Sequence, residues 1–127
     1  MCKRSSESTD HVFLHCSVAI QLWQRLFGVC DVKWGAPRDC THMLLVKFDG
    51  FGGSKRAKSL WSCIVCAIFK IIWLERNARI FDRKEADANS LRDRAGFLAS
   101  FWAFVSPPFR GIHLFLISRD WAAVCNP

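Results

Sequence analysis

The chain has 127 residues, 51% of them hydrophobic, with six Trp and eleven Phe, and a net charge of +7. That length holds one small domain, or a tiny module joined to a helical one, and the composition excludes a disordered tail. The basic balance favours polyanions as partners, with plain solubility as the bland alternative, and the aromatic load suggests that some rings face a partner or another part of a longer chain.

Residues 1–16 are polar and end in Val12-Phe13-Leu14-His15-Cys16. Ser17 is placed to cap a helix through Phe27, with Ile20, Trp23 and Phe27 on one face and Gly28 at its end. Residues 29–53 read as an irregular linker: Gly35, Pro37 and Asp39 form turns, Met43 to Phe48 is an apolar run that fits a strand or a helical turn, and Asp49-Gly50-Phe51-Gly52-Gly53 is flexible. Gly50 to Lys55 lacks the spacing of a phosphate loop and reads as a hinge and a helix cap.

Ser54 suits the N-cap of a long helix over about 55–81, whose apolar stripe is Trp61, Ile64, Val65, Ile68, Ile72 and Trp73. Its apolar centre, Leu60 to Leu74, is 15 residues long and carries Lys70. A membrane span needs about 20, so a buried amphipathic helix is expected. Asp87 or Asn89 starts a further helix to about Phe104, with Leu91, Leu98, Phe101 and Trp102 inward, and Pro107-Pro108 stops it. Ile112 to Val124 fits a last short helix.

Seven Cys, an odd number, argue against a closed disulfide framework. With no apolar leader at Met1-Cys2-Lys3-Arg4, an intracellular, reducing compartment is expected, nucleus or cytoplasm being left open. Cys63 and Cys66 lie in an apolar helical run without a second Cys/His pair nearby, so they read as buried core thiols rather than a metal or redox pair.

Cys2, His11 and Cys16 carry the chemistry that zinc prefers, but a structural site wants four ligands. Met1 is a poor substitute, and His15 adjoins Cys16 too closely to share its ion. Between Lys55 and Lys84 stand eight basic residues against Glu75 and Asp82, +6 of the chain's +7. Lys55, Arg56, Lys58, Arg76 and Arg79 are therefore candidates to hold nucleic-acid phosphates, the alternative being a solvated helix face. Glu75 and Arg79 also form an ordinary i,i+4 pair. No paired carboxylates for two metals and no oriented nucleophile emerge, Cys40 with His42 and His113 with Cys125 being pairs on paper only. The chain is expected to be no enzyme and to take no small-molecule substrate.

Two stretches resemble one family. Cys2, Glu7 to His11, Val12 to Cys16 and Trp23 are similar to its pattern Cys-x2-Cys-x8-His-x4-Cys, with an acidic residue four before the His and a Trp after the last Cys. Trp73-Leu74-Glu75-Arg76-Asn77-Ala78-Arg79-Ile80-Phe81 is similar to its Trp-x-Glu-Arg-Asn-x-Arg-x-Phe stretch. The family is the reverse transcriptase zinc-binding domain of plant LINE-type (non-LTR) retrotransposons, and the resemblance covers roughly residues 1–82.

It implies metal ligands at Cys2, His11 and Cys16, a Zn2+ cofactor, and a polyprotein in which the domain follows the polymerase and helps it hold RNA or DNA. Lys3 and Arg4 would then sit near phosphate beside the metal turn. The family's first Cys would fall two residues before Met1, so the fourth ligand is missing and the chain is expected to be N-terminally truncated. It also has no Tyr for the aromatic-Ala-Asp-Asp turn of these polymerases.

The expected architecture is mainly α: a short Cys/His zinc-binding segment with the first helix over 1–28, an irregular linker over 29–53, and a helical region over 54–127. The expected function is a zinc-binding, nucleic-acid-associating accessory domain. The rival is a metal-free helical protein-interaction domain, or a transposon remnant without function.

Overall fold

A computed structural model of the chain describes residues 13–14, 16–29, 39–40 and 54–125. These are almost all helical, and no strand occurs among them. The readings made on residues 1–12, on His15, and on the linker apart from Val29, Asp39 and Cys40 fall outside the described residues.

Helix α1 spans Ser17–Val29. It buries Ala19, Leu22, Trp23 and Leu26, spaced to share one face. Ile20, expected inward, is only half-buried. Ser17 is the first helical residue rather than the cap: the Cys16 carbonyl already accepts from the Ile20 amide at 2.9 Å. Gly28 lies inside the last turn and does not end the helix.

Helix α2 spans Lys55–Asn77, capped by Ser54, whose Oγ accepts from the Ala57 amide at 3.1 Å. Such a cap is worth about 1 kcal/mol. Leu60, Trp61, Ile64, Val65, Ile68 and Ile72 are buried, and each side chain contributes about 1.5–3 kcal/mol by leaving water. The chain does not stop at Asn77 but runs on through a π-helical turn, Ala78–Asp82. Arg83, at φ 53° in the left-handed region, ends it, and the Lys84 amide donates back to the Ala78 carbonyl at 3.1 Å.

Helix α3 spans Ala88–Phe104, and Asp87 caps it by accepting from the Ser90 amide at 2.7 Å. Its buried face is small: Ala95, Ala99, Ser100 and Ala103, with Leu91. Small side chains allow close approach, and α2 against α3 is the largest helix contact. A 3-10 turn, Pro107–Phe109, reverses the chain. The expected last helix is two, α4 (Leu114–Arg119) and α5 (Trp121–Cys125), broken at Asp120.

All five helices share one apolar core, from Leu14 to Cys125. Trp23 is fully buried at the α1–α2 contact, where its indole N–H donates to the Phe13 carbonyl at 2.7 Å and its ring meets Phe69 edge-on at 5.4 Å. Buried Ser100 donates to the Gly96 carbonyl at 2.9 Å and accepts from the Trp121 indole N–H at 2.9 Å, tying α5 to α3.

Several inward assignments are overturned. Trp73 and Phe101 are exposed, at 46% and 42%, whereas Leu98 and Trp102 are half-buried and pack against the core as expected. Cys66 is exposed and is no core thiol, while Cys63 is half-buried and packs against the core. The reason is geometric: the core-facing side of α2 is already filled by Ile64, Ile68 and Ile72. Trp73 follows Ile68 by five residues, about 140° round the helix. Lys55–Asp82 is long and apolar enough to cross a membrane, but half of its most apolar window is buried in the fold, as in a core helix.

Candidate nucleic-acid interface

Of the three expected zinc ligands only Cys16 is among the described residues; Cys2 and His11 lie outside them, as do Lys3 and Arg4. Cys16 sits one residue before α1, fully buried in the core. Among the described residues no group of three His, Cys, Asp or Glu is arranged to hold a metal ion.

The basic candidates on α2 divide into two kinds. Arg56 is engaged by the fold: Nε donates to the Pro108 carbonyl at 2.9 Å, Nη1 to the Val124 carbonyl at 3.4 Å, and the guanidinium lies 6.0 Å from the centre of the Phe109 ring. Arg79 is likewise engaged, its Nε pairing with Glu75 Oε2 at 2.8 Å. Glu75, 2% exposed, also accepts from the Ala86 amide at 3.0 Å, so this carboxylate fastens α2 to the approach of α3.

Lys55 and Lys58 are exposed on the outward side of the first turns of α2. Arg76 lies over the exposed Trp73 ring, 5.8 Å from its centre. A guanidinium on an indole face is a cation–π pair, and it holds a charge and an aromatic plane together at the surface.

The structure adds residues that entered the sequence reading only through the charge excess or the Trp73–Phe81 stretch, not as candidate contacts. Lys70, Arg83 and Lys84 are exposed, and Phe81 is the most exposed large apolar side chain among the described residues, at 75%. Lys70, Trp73, Arg76 and Asn77 share the outward side of α2, and Phe81 follows from the π turn. The helical period held this signal, since Trp73 and Phe81 are eight residues apart and lie away from the Ile64–Ile68–Ile72 line. Ile80, 45% exposed, borders the same strip, and Asp82 and Glu85 are exposed beside it.

Of the α2 thiols, Cys66 is exposed and Cys63 is half-buried against the core. Burial raises the Cys63 pKa above its ordinary 9.0, and neighbouring Cys66 adds to this, while a hydrogen bond with Ser59 opposes it. Burial pushes Cys125 up to about 11, with Arg56 opposing. His113 caps α4, its Nδ1 accepting from the Phe115 amide at 3.1 Å.

No family model, no curated protein and no solved structure matches the chain.

Proposed function

We propose that this chain is an accessory nucleic-acid-associating domain of the kind that follows the polymerase in plant LINE-type retrotransposon polyproteins, binding RNA or DNA on the outward side of α2 and catalysing nothing itself. One observation carries the reading: the stretch Trp73 to Phe81, which bears the resemblance, presents a guanidinium 5.8 Å from the centre of an exposed indole, on the same helix side as Lys70. Phosphates meet the cations, and because phosphate contacts carry no base information the binding has little sequence preference. Lys55 and Lys58 extend the charge toward the start of the helix, Lys55 lying 21 residues and about 31 Å from Arg76.

The same reading assigns a zinc ion to Cys2, His11 and Cys16, a thiolate–imidazole set suited to it, with the fourth position outside the trio. It places Lys3 and Arg4 beside phosphate.

A salt titration of affinity for an RNA or DNA oligonucleotide tests the proposal. Four phosphate contacts from Lys55, Lys58, Lys70 and Arg76 give a slope of log affinity against log salt of about −3 for a single strand. A flat response, or no binding at low salt, overturns the reading. For the metal, purified protein is expected to carry about one zinc, lost in Cys2→Ser.

A second reading has an observation of its own. Phe97, Phe101, Phe104 and Val105 leave one side of α3 apolar and exposed, with the Phe97 and Phe101 rings stacked 6.4 Å apart. This supports a helical protein-interaction domain. Under it, Phe101→Ser improves solubility and leaves the salt titration unchanged.

A further inference from the structure

We infer that the Trp73–Phe81 strip is a stacking platform for single-stranded nucleic acid, so that the chain prefers unpaired strands to duplex; the inference rests on the nucleic-acid reading above and specifies its substrate. Trp73 and Phe81 are the two exposed aromatic rings here, 46% and 75% accessible. Eight residues separate them, about 12 Å along the helix. An aromatic face gains most from the face of another planar ring, worth on the order of tenfold or more in affinity per base. A duplex hides its base faces except at its ends, whereas an unpaired strand can turn them outward. The rings are also farther apart than the 3.4 Å spacing of stacked bases in one strand, so meeting both requires bases that have left one another.

The surrounding charge selects a nucleic acid over an apolar protein segment. Lys70, Arg76, Arg83 and Lys84 flank the rings, against Asp82 and Glu85. The neighbouring Glu75 and Arg79 neutralise each other. Arg76 sits 5.8 Å from the centre of the Trp73 ring, which keeps a phosphate-binding charge next to the ring. The left-handed Arg83 ends the π turn and folds the chain back so that the Lys84 amide donates to the Ala78 carbonyl.

The experiment measures the affinity of the full chain for a 12-nucleotide single strand and for a 12-base-pair duplex by fluorescence anisotropy, across salt. Trp73→Ala, Phe81→Ala, Trp73→Phe and Lys70→Ala are compared with the unmodified protein. The expected results are tighter binding of the single strand and a loss on the order of tenfold in Trp73→Ala and in Phe81→Ala for the single strand alone, with the salt slope unchanged. Trp73→Phe restores most of the Trp73→Ala loss. Lys70→Ala weakens single strand and duplex together and reduces the slope by about 0.7–0.9. Both rings are outside the core, so circular dichroism should stay unchanged in all four variants.

If both forms bind equally and the ring substitutions change neither, the stacking platform is refuted while the phosphate-binding reading stands. If neither form binds at low salt, both fall.

Discussion

Replacing Glu75 by Ala separates the structural half of the Trp73–Phe81 stretch from its surface half. The carboxylate is 2% exposed and accepts from Arg79 Nε at 2.8 Å and from the Ala86 amide at 3.0 Å. Removing it leaves the amide without this partner, a loss of about 1–3 kcal/mol. It also breaks an ion pair in which the Arg79 side chain is only 17% exposed. Breaking a fully buried pair costs about 3–5 kcal/mol; partial access of water to Arg79 puts the total near the low end, about 3 kcal/mol. Urea unfolding followed by circular dichroism measures it, and with a slope of about 1.5 kcal/mol per molar the midpoint falls by about 2 M. Because the two groups share one interaction, Glu75→Ala combined with Arg79→Ala costs less than the two single changes added together. Trp73→Ala, only two residues earlier but on the outward side, changes stability by no more than about 1 kcal/mol. A Glu75→Ala cost under about 1 kcal/mol, or a Trp73→Ala cost equal to it, would refute the division.

Two further outcomes follow from the packing. Ser100→Ala removes the acceptor of the Trp121 indole N–H inside the core, and thermal unfolding should show a drop of about 5–10 °C for a loss of about 1–3 kcal/mol. Among the described cysteines, exposed Cys66 should be alkylated at pH 8 before buried Cys16 and Cys125. With its pKa raised from 9.0 to about 11 in the fold, Cys125 stabilises fully below pH 9 and loses that contribution as pH rises from about 9 to 11, so Cys125→Ala should flatten the stability profile in that window.

Much of the helix plan was legible along the chain because its signals are local. Ser54 and Asp87 have side-chain oxygens that accept from the amide three residues on, and each stands where a helix begins. Pro107-Pro108 cannot continue a helix, and α3 ends before them. The break at Asp120 was less visible, since residues 112–124 are apolar on both sides of it. Of the interface, the excess charge between Lys55 and Lys84 and the Trp73–Phe81 stretch could be read directly. Which of those cations are held by the fold could not: Arg56 reaches the carbonyls of Pro108 and Val124, more than fifty residues away.

The composition of α2 and the caps at its start are properties of neighbouring residues, and they determine that a helix forms there. They leave its inward side underdetermined, because apolar residues occur nearly all round its middle. Trp73 and Cys66 are as hydrophobic as their neighbours, so periodicity alone does not exclude them from the core. That choice falls to packing: the small face of α3, Ala95, Ala99 and Ala103, accepts one side of α2, and α1 adds Trp23 against Phe69. What is left over faces water: the indole of Trp73 with the guanidinium of Arg76 beside it, and two turns further on the ring of Phe81.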